Sequence, residues 1–144
     1  MCTAIDSAKY FLLKSNPEIG DTISNLKLQK LLYFAQGFHL AIFEKPLFPE
    51  SIEAWTHGPV VPKIYHQFKT CGVSGIPVQE INLKLISKNA KNLLDEIWNV
   101  YGQFSAWKLR DITHEHTPWK ETPRGETIPI SSMKSYFKTL VKTA

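Results

Sequence analysis

The stretch Leu28-Gln29-Lys30-Leu31-Leu32-Tyr33-Phe34-Ala35-Gln36-Gly37 decides the fold of this chain. Ser24 before it is a good N-cap, and apolar residues continue at helical spacing, which predicts one helix from Ser24 to about Phe43. Apolar residues occupy two adjacent faces of this helix, as is typical of a central helix wrapped by others. Gly37 costs about 1 kcal/mol relative to alanine inside a helix. Its presence therefore predicts that another backbone passes close to it.

The pattern outside this helix predicts a mostly α (α+β) fold, in which a single compact helical domain, residues 1–144, surrounds the central apolar helix and carries a small minor β-sheet. Alternation in Ile52-Glu53-Ala54-Trp55 predicts a short strand. Weak alternation from Val78 to Leu83 predicts its pairing partner, and Thr127-Ile128-Pro129 predicts an edge strand. The further predicted helices are Thr3–Lys14, one beginning at Pro59 or Pro62 and ending near Lys69, Asn89–Gln103, one from Ser105 to about His114, a short turn or helix at Thr117-Pro118-Trp119, and a last helix capped by Ser131.

Composition places the chain among cytoplasmic globular proteins. With 144 residues, of which 43% are hydrophobic and 12% aromatic, it can bury a core without disulfides or metal. Cys2 and Cys71 form no Cys-x-x-Cys pair, which fits a reducing compartment. The N-terminus predicts no signal peptide. The most apolar stretch, Leu31 to Phe43, is too short and too polar to span a bilayer, so we expect no membrane partner.

The histidines and cysteines do not form a recognisable catalytic or metal motif. A zinc-protease helix needs His-Glu-x-x-His, but the residue four positions after His114 is Pro118. His114 and His116 would ligate a metal only on an extended chain, with further ligands elsewhere. Nothing marks Cys71 as an activated nucleophile. There is no Gly-x-Ser-x-Gly elbow or Gly-rich phosphate loop, so the sequence predicts no catalytic residue, no metal and no cofactor.

The net charge of +4 and the isoelectric point near 9 favour an acidic partner, either nucleic acid or an acidic protein face. Lys134, Lys138 and Lys142 recur at i, i+4 and i+8 on the last predicted helix, and Lys27, Lys30 and Lys108 add to them. Phosphate contact and an ordinary solvated helix face are the two interpretations of this stripe. No helix-turn-helix pattern supports the first.

An aromatic group stands apart from these weak patterns. It comprises Tyr33, Trp55, His57, Trp107 and Trp119. Buried tyrosine and tryptophan need partners for their polar edges, so an internal hydrogen-bond network is the favoured interpretation for Tyr33, as it is for Gln36. His57 and Trp119, like His114, lie beside turns. For these residues internal bonding and surface recognition remain equally open.

Several blocks together resemble a known family. The opening stretch is followed by Pro46-Leu47-Phe48, then by Ile52-Glu53-Ala54-Trp55-Thr56-His57-Gly58-Pro59-Val60-Val61, then by Leu109-Arg110-Asp111-Ile112-Thr113-His114-Glu115 with Pro118-Trp119. In order and spacing these blocks resemble the Panacea domain, the SocA-like and often phage-associated antitoxin family. Relatives tend to have smaller or glycine-bearing residues after the Glu, so His116 departs from the pattern.

The resemblance implies a bacterial, non-enzymatic antitoxin of a toxin-antitoxin system. Members neutralise a toxin, usually encoded next door, by protein-protein interaction, and one member instead delivers its toxin to a bacterial protease. From the resemblance and the absence of a catalytic motif we hypothesise a partner-binding surface and a motif core. The partner-binding residues are Trp55, His57, Gly58, Pro59, His114, Glu115 and Trp119, and the motif core is Leu31, Tyr33, Gln36 and Gly37.

Two alternatives stay open. The first is a nucleic-acid-binding transcriptional regulator of its own operon, motivated by the lysine stripe. It predicts binding that weakens steeply with salt, because phosphate contacts release counterions. The second is a cryptic hydrolase that uses His114 and Glu115. It predicts a bound metal, or an activity lost on His114→Ala without loss of fold.

Overall fold

Seven α-helices and one two-stranded antiparallel sheet make up the part of the chain described by this computed structural model, residues 1–71 and 74–141. Because the structure is 59% helical with a small sheet, the predicted mostly α (α+β) class is confirmed. The elements are α1 (Ala4–Leu13), α2 (Asn25–Phe43), β1 (Glu53–Trp55), β2 (Gly58–Val60), α3 (Pro62–Phe68), α4 (Lys88–Tyr101), α5 (Ala106–His114), α6 (Thr117–Lys120) and α7 (Ile130–Leu140).

Helix α2 is central, as predicted. The Ser24 side chain accepts from the Lys27 amide and caps its start, while Glu44 ends it in a left-handed conformation with φ 64°. Helices α1, α3, α4, α5 and α7 and strand β2 all contact it. Most of its side chains are buried, which explains why apolar residues occupy more of its circumference than the single stripe of a surface helix.

The close approach predicted at Gly37 is real, but a side chain makes it instead of a backbone. A Cβ at Gly37 would lie 2.2 Å from Cε2 of Phe137 on α7. The same ring packs edge-to-face on Phe38 and Tyr33, with centroids 4.9 and 5.2 Å apart. The missing Cβ therefore lets an aromatic ring lie against α2 where another residue would push it away.

The sheet differs from the prediction. β1 pairs with β2 in the register Glu53↔Val60, Ala54↔Pro59 and Trp55↔Gly58, across a two-residue turn. The prediction that Val78–Leu83 supplies the partner is wrong, because that segment is irregular and runs into a single 3₁₀ turn at Leu83–Leu85. Val78 and Leu83 are both exposed, so the weak alternation marks no buried face.

The predicted edge strand at Thr127-Ile128-Pro129 is reduced to one bridge on the other side of β1. Thr127 bridges Glu53, and the Ile128 amide donates to the Ile52 carbonyl at 2.8 Å. The Ala54 amide donates to the Glu126 carbonyl at 2.9 Å. β1 is therefore bonded along both of its edges.

Two helix starts are settled by proline. α3 begins at Pro62, not Pro59, because Pro59 belongs to β2. α7 begins at Ile130 after Pro129, so the prediction that Ser131 caps it is wrong. The Pro129 backbone is extended, and its carbonyl already accepts from the amides of the first turn. No helix in the described ranges has both the length and the apolarity to cross a bilayer.

Candidate functional site

Gln36 is buried in α2 and bonds the loop that follows the helix. Its Oε1 accepts from the Leu47 amide at 2.8 Å and from the Phe48 amide at 3.3 Å. Its Nε2 donates to the Phe48 carbonyl at 2.9 Å. One side chain thus satisfies three backbone groups that would otherwise be buried without partners. These contacts are internal, and Leu31 on the same helix is fully buried in the core.

Tyr33 makes a buried pair with His116. The Tyr33 hydroxyl lies 3.0 Å from Nδ1 of His116, and both side chains are within the core. Burial lowers the pKa of His116 to about 4 and raises the pKa of Tyr33 well above its usual value. Both groups are therefore neutral at pH 7. His116, which departs from the family pattern, is the N-cap residue of α6, so its contact with Tyr33 fixes the start of α6 against α2.

The Gly58-Pro59 corner is built around a buried lysine. Lys30 is fully buried, and its Nζ donates to the Pro59 carbonyl at 3.1 Å. Burial, and to a lesser extent the charge of Arg110, lower the pKa of Lys30 to about 7. Gly58 has φ 109°, and a Cβ there would lie 2.7 Å from Cε of Lys30 and 2.8 Å from Oγ1 of Thr113. Only glycine fits this position.

Lys30 is therefore not a surface cation, which corrects its inclusion among the lysines that could contact phosphate. Lys27 is also buried and donates to the Gly102 carbonyl at 2.6 Å, with its Nζ over the Trp98 ring. Lys134 and Lys138 both pair with Glu44 and lower the pKa of that carboxyl to about 2. Lys142 lies outside the described residues.

The two predicted turns meet at Trp119. Its indole Nε1 donates to the Trp55 carbonyl at 2.8 Å. The His114 ring stacks in parallel on Trp119, with centroids 3.9 Å apart, and the Arg124 guanidinium lies 3.6 Å from the centre of the same indole. Burial and the charges of Arg110 and Lys30 lower the pKa of His114, which disfavours its protonated form.

The predicted partner-binding residues differ in exposure. His57 and Glu115 are exposed, whereas Trp55, His114 and Trp119 are half-buried. Gly58 and Pro59 are buried and shape the corner without presenting a side chain to solvent. His116, which departs from the family pattern, points into the core, so the rings of His114 and His116 have different surroundings.

A groove of about 790 Å³, which we call the aromatic groove, opens beside the hairpin. Trp55 and Tyr65 pack edge-to-face in it at 4.9 Å, and His57 packs on Trp107 at 5.5 Å. Trp107 keeps 56% of its surface exposed. The lining residues are Asn25, Leu26, Gln29, Trp55, Thr56, His57, Val60, Tyr65, Lys69, Trp107, Arg124 and Gly125.

The groove unites only part of the predicted surface. Trp55 and His57 line it, whereas His114, Glu115 and Trp119 do not. Sequence reasoning missed Tyr65, Lys69 and Arg124, because they lie on separate elements and no local pattern links them. Of the aromatic residues singled out from the sequence, Trp107 is the one outside the hairpin that lines the groove.

Neither cysteine belongs to a group of candidate metal ligands in the described ranges. Cys2 is buried, lies 3.3 Å from the Ser7 hydroxyl and has a pKa raised chiefly by burial. Cys71 is half-buried. Within these ranges no three His, Cys, Asp or Glu side chains come together as a metal site would require.

Comparison with known proteins identifies the family. The family described as "Antitoxin SocA-like, Panacea domain" matches residues 28–120, more than half of the chain. The chain belongs to this family. It is also similar to Antitoxin SocA of Caulobacter vibrioides (strain NA1000 / CB15N), with 32% identity over 115 residues that cover 72% of this chain and 61% of the relative. The chain thus spans about three fifths of the length of that relative. No solved structure matches.

The Panacea match contains most of the aromatic groove. It begins within α2 and ends with α6, so it includes Trp55, His57, Tyr65 and Trp107. Arg124 lies just beyond it and contacts Trp119 within it. The matched segment therefore carries both the buried lysine corner and the exposed aromatic face.

Proposed function

We propose that this Panacea protein is an antitoxin that neutralises a cognate protein toxin by direct contact. The family match over residues 28–120 carries the proposal, supported by the similarity to a protein named Antitoxin SocA. The proposed contact surface combines the aromatic groove with the neighbouring turn at His114–Trp119. The proposal assigns the protein no catalytic step, so binding alone is its activity.

The exposed rings support a binding role. Trp107 leaves 56% of its surface in solvent although most large apolar residues of the chain are buried. Tryptophan, tyrosine and arginine are the residues most often found at energetic centres of protein interfaces. Trp55, Tyr65, Trp107 and Arg124 place all three types around one groove.

This surface is also held in place before any partner arrives. The indole of Trp119 is bonded to the Trp55 carbonyl, and Arg124 donates to the carbonyls of Trp119 and Thr122 at 2.8 Å. Side chains that are already ordered lose little entropy on binding, and each one otherwise costs about 0.5–1.5 kcal/mol. A rigid antitoxin face of this kind suits tight, stoichiometric inhibition.

The experiment is a growth assay in a bacterial host. The gene adjacent to this one is induced alone and together with the protein, and the abundance of the neighbour's product is followed by immunoblot. We expect arrest by the neighbour alone and rescue on co-expression, with toxin abundance unchanged because the toxin is blocked.

Each other outcome is informative. Rescue accompanied by loss of the toxin would replace blocking with delivery to a protease. A harmless neighbour, or arrest that persists when the protein is in excess, would reject the pairwise antitoxin proposal. Rescue without binding between the purified proteins would reject direct contact.

A further inference from the structure

Three polar side chains at the aromatic groove, those of Asn25, Gln29 and Trp55, are already bonded to the protein. Asn25 Nδ2 donates to the Tyr65 carbonyl at 3.0 Å, and Gln29 Nε2 donates to Asn25 Oδ1 at 2.9 Å. The Val61 amide donates to Gln29 Oε1 at 2.9 Å. The indole N–H of Trp55 is bonded to Glu53 at 2.9 Å. These groups therefore need no hydrogen-bond partner from a ligand, and an apolar side chain can cover them without leaving them unpaired.

The hairpin beside the groove offers no strand edge to an extended peptide. β1 is bonded to β2 on one side and to the Glu126–Ile128 segment on the other. In β2, Pro59 has no N–H and its carbonyl accepts from Lys30. Addition of a partner strand is thus disfavoured, and recognition falls to the side chains of the groove.

The groove carries positive charge without a carboxylate among its lining residues. Lys69 and Arg124 line it, and neither forms a salt bridge within the described residues. Lys69 is exposed, and Arg124 is fixed over Trp119 by its hydrogen bonds to backbone carbonyls. Glu53 accepts a hydrogen bond from the Trp55 indole and forms no salt bridge with either cation. A carboxylate on a partner would therefore meet two cations that lack a counter-charge.

From these three observations we propose that the aromatic groove binds a segment of the toxin in which a bulky apolar side chain is flanked by aspartate or glutamate. The apolar group enters beside Trp55, Tyr65 and Trp107, and the flanking carboxylates contact Lys69 and Arg124. This inference rests on the proposed antitoxin function for the identity of the partner. It names the chemistry of the contact, which the family assignment does not.

Capped nine-residue peptides test this chemistry without the toxin. The first has a central phenylalanine flanked by glutamates, the second the same centre flanked by lysines, and the third a central serine flanked by glutamates. Binding is titrated by tryptophan fluorescence and by heteronuclear NMR at peptide concentrations up to about 1 mM, so that dissociation constants up to about that value can be measured. We expect the first peptide to bind at least about tenfold more tightly than the other two, and to weaken with added salt.

Protein variants locate the site. Lys69→Glu is expected to weaken the binding of the first peptide by about tenfold. The control Lys84→Glu makes the same change of net charge at an exposed residue outside the groove and should change binding by no more than about twofold. Trp107→Ala should weaken it similarly, with Ile130→Ala as the exposed apolar control. Absence of binding by the first peptide, no preference over the lysine-flanked peptide, or insensitivity to both groove variants would overturn the proposal.

The growth assay separates this proposal from the antitoxin function. If the unaltered protein rescues growth and folded Lys69→Glu and Trp107→Ala variants do not, both proposals are supported. If the folded variants rescue fully, the groove proposal fails while the antitoxin function stands. If the unaltered protein does not rescue, the antitoxin function fails, and the peptide titrations still decide the chemistry of the groove.

Discussion

Replacement of the buried Lys30 with methionine tests whether the Gly58-Pro59 corner holds an uncharged amine. Lys30 has a pKa of about 7 in the fold, set mainly by burial and secondarily by Arg110, against an ordinary lysine value of 10.5. Between these two values the unfolded chain binds a proton that the folded protein releases. The free energy of unfolding of the native sequence should therefore rise with pH across this window.

The magnitude follows from the two pKa values. Each pH unit within the window contributes up to about 1.4 kcal/mol, and less near pH 7, where the folded amine is half protonated. The contribution of Lys30 should thus become more favourable by about 2 kcal/mol between pH 7 and pH 9. Below pH 7 both the folded and the unfolded states carry the proton, so the destabilisation caused by burying Lys30 levels off at about 4–5 kcal/mol.

The assay is urea unfolding followed by tryptophan fluorescence from pH 6 to pH 9, for the native sequence and for Lys30→Met. Methionine keeps the length of the chain but cannot titrate. It also leaves the Pro59 carbonyl without its donor, which shifts the difference by about 1–3 kcal/mol at every pH. The slope of the difference with pH is therefore the test. Lys84→Met, at an exposed lysine, is the control and should show no such slope.

Neighbouring groups cannot mimic this result. The pKa of His114, which is coupled to Lys30, is already lowered in the fold, so that ring titrates below the window. Titrations of groups that Lys30 does not influence cancel in the difference. A difference that stays constant from pH 6 to pH 9 would mean that Lys30 keeps an ordinary pKa, and the corner would then hold a charged ammonium group instead of a neutral amine.

Three further predictions concern α2 and its partners. Gly37→Ala should destabilise the protein by about 1–3 kcal/mol despite the better helix propensity of alanine, because the new methyl group meets the Phe137 ring. Phe137→Leu should therefore lower the free energy of unfolding less in the Gly37→Ala variant than in the native sequence, as a double-mutant cycle in urea would measure. The pKa of His116 falls from 6.5 to about 4 on folding, so its contribution to the free energy of unfolding should drop by about 3 kcal/mol between pH 6.5 and pH 4. His116→Gln should abolish this part of the acid sensitivity, and an unchanged acid profile in that variant would contradict the buried pair with Tyr33. Gln36→Leu should cost about 2–4 kcal/mol by thermal unfolding, since it strands three loop groups, and a loss under about 1 kcal/mol would contradict that role.

What the sequence could predict was local. The span of α2 follows from its cap at Ser24 and from the spacing of its apolar residues, both of which act within a few turns of one helix. The apolar faces around its circumference indicated that it would be central, because such a helix has no surface to present to water. Each of these inferences needs only neighbouring residues.

What it could not predict depends on contacts distant in the chain. The identity of the group against Gly37 is fixed by α7, far along the sequence at Phe137. Lys30 looks like a surface cation in the sequence, and only the path of the hairpin over it makes it buried. The aromatic groove draws its lining from α2, the hairpin, α3, α5 and the loop after α6, so no local pattern reveals it.

The segment Trp55-Thr56-His57-Gly58-Pro59-Val60 combines two roles within a few residues. Its glycine and proline face inward, where Gly58 leaves room for the Lys30 side chain and Pro59 accepts the bond from it. Its tryptophan and histidine face the aromatic groove. Because a fully buried side chain bonds the hairpin from inside, the backbone that carries the Trp55 and His57 rings is held in place. The buried lysine therefore does not compete with the binding interpretation of this block. It supplies the rigidity on which a recognition surface made of half-exposed aromatic rings depends.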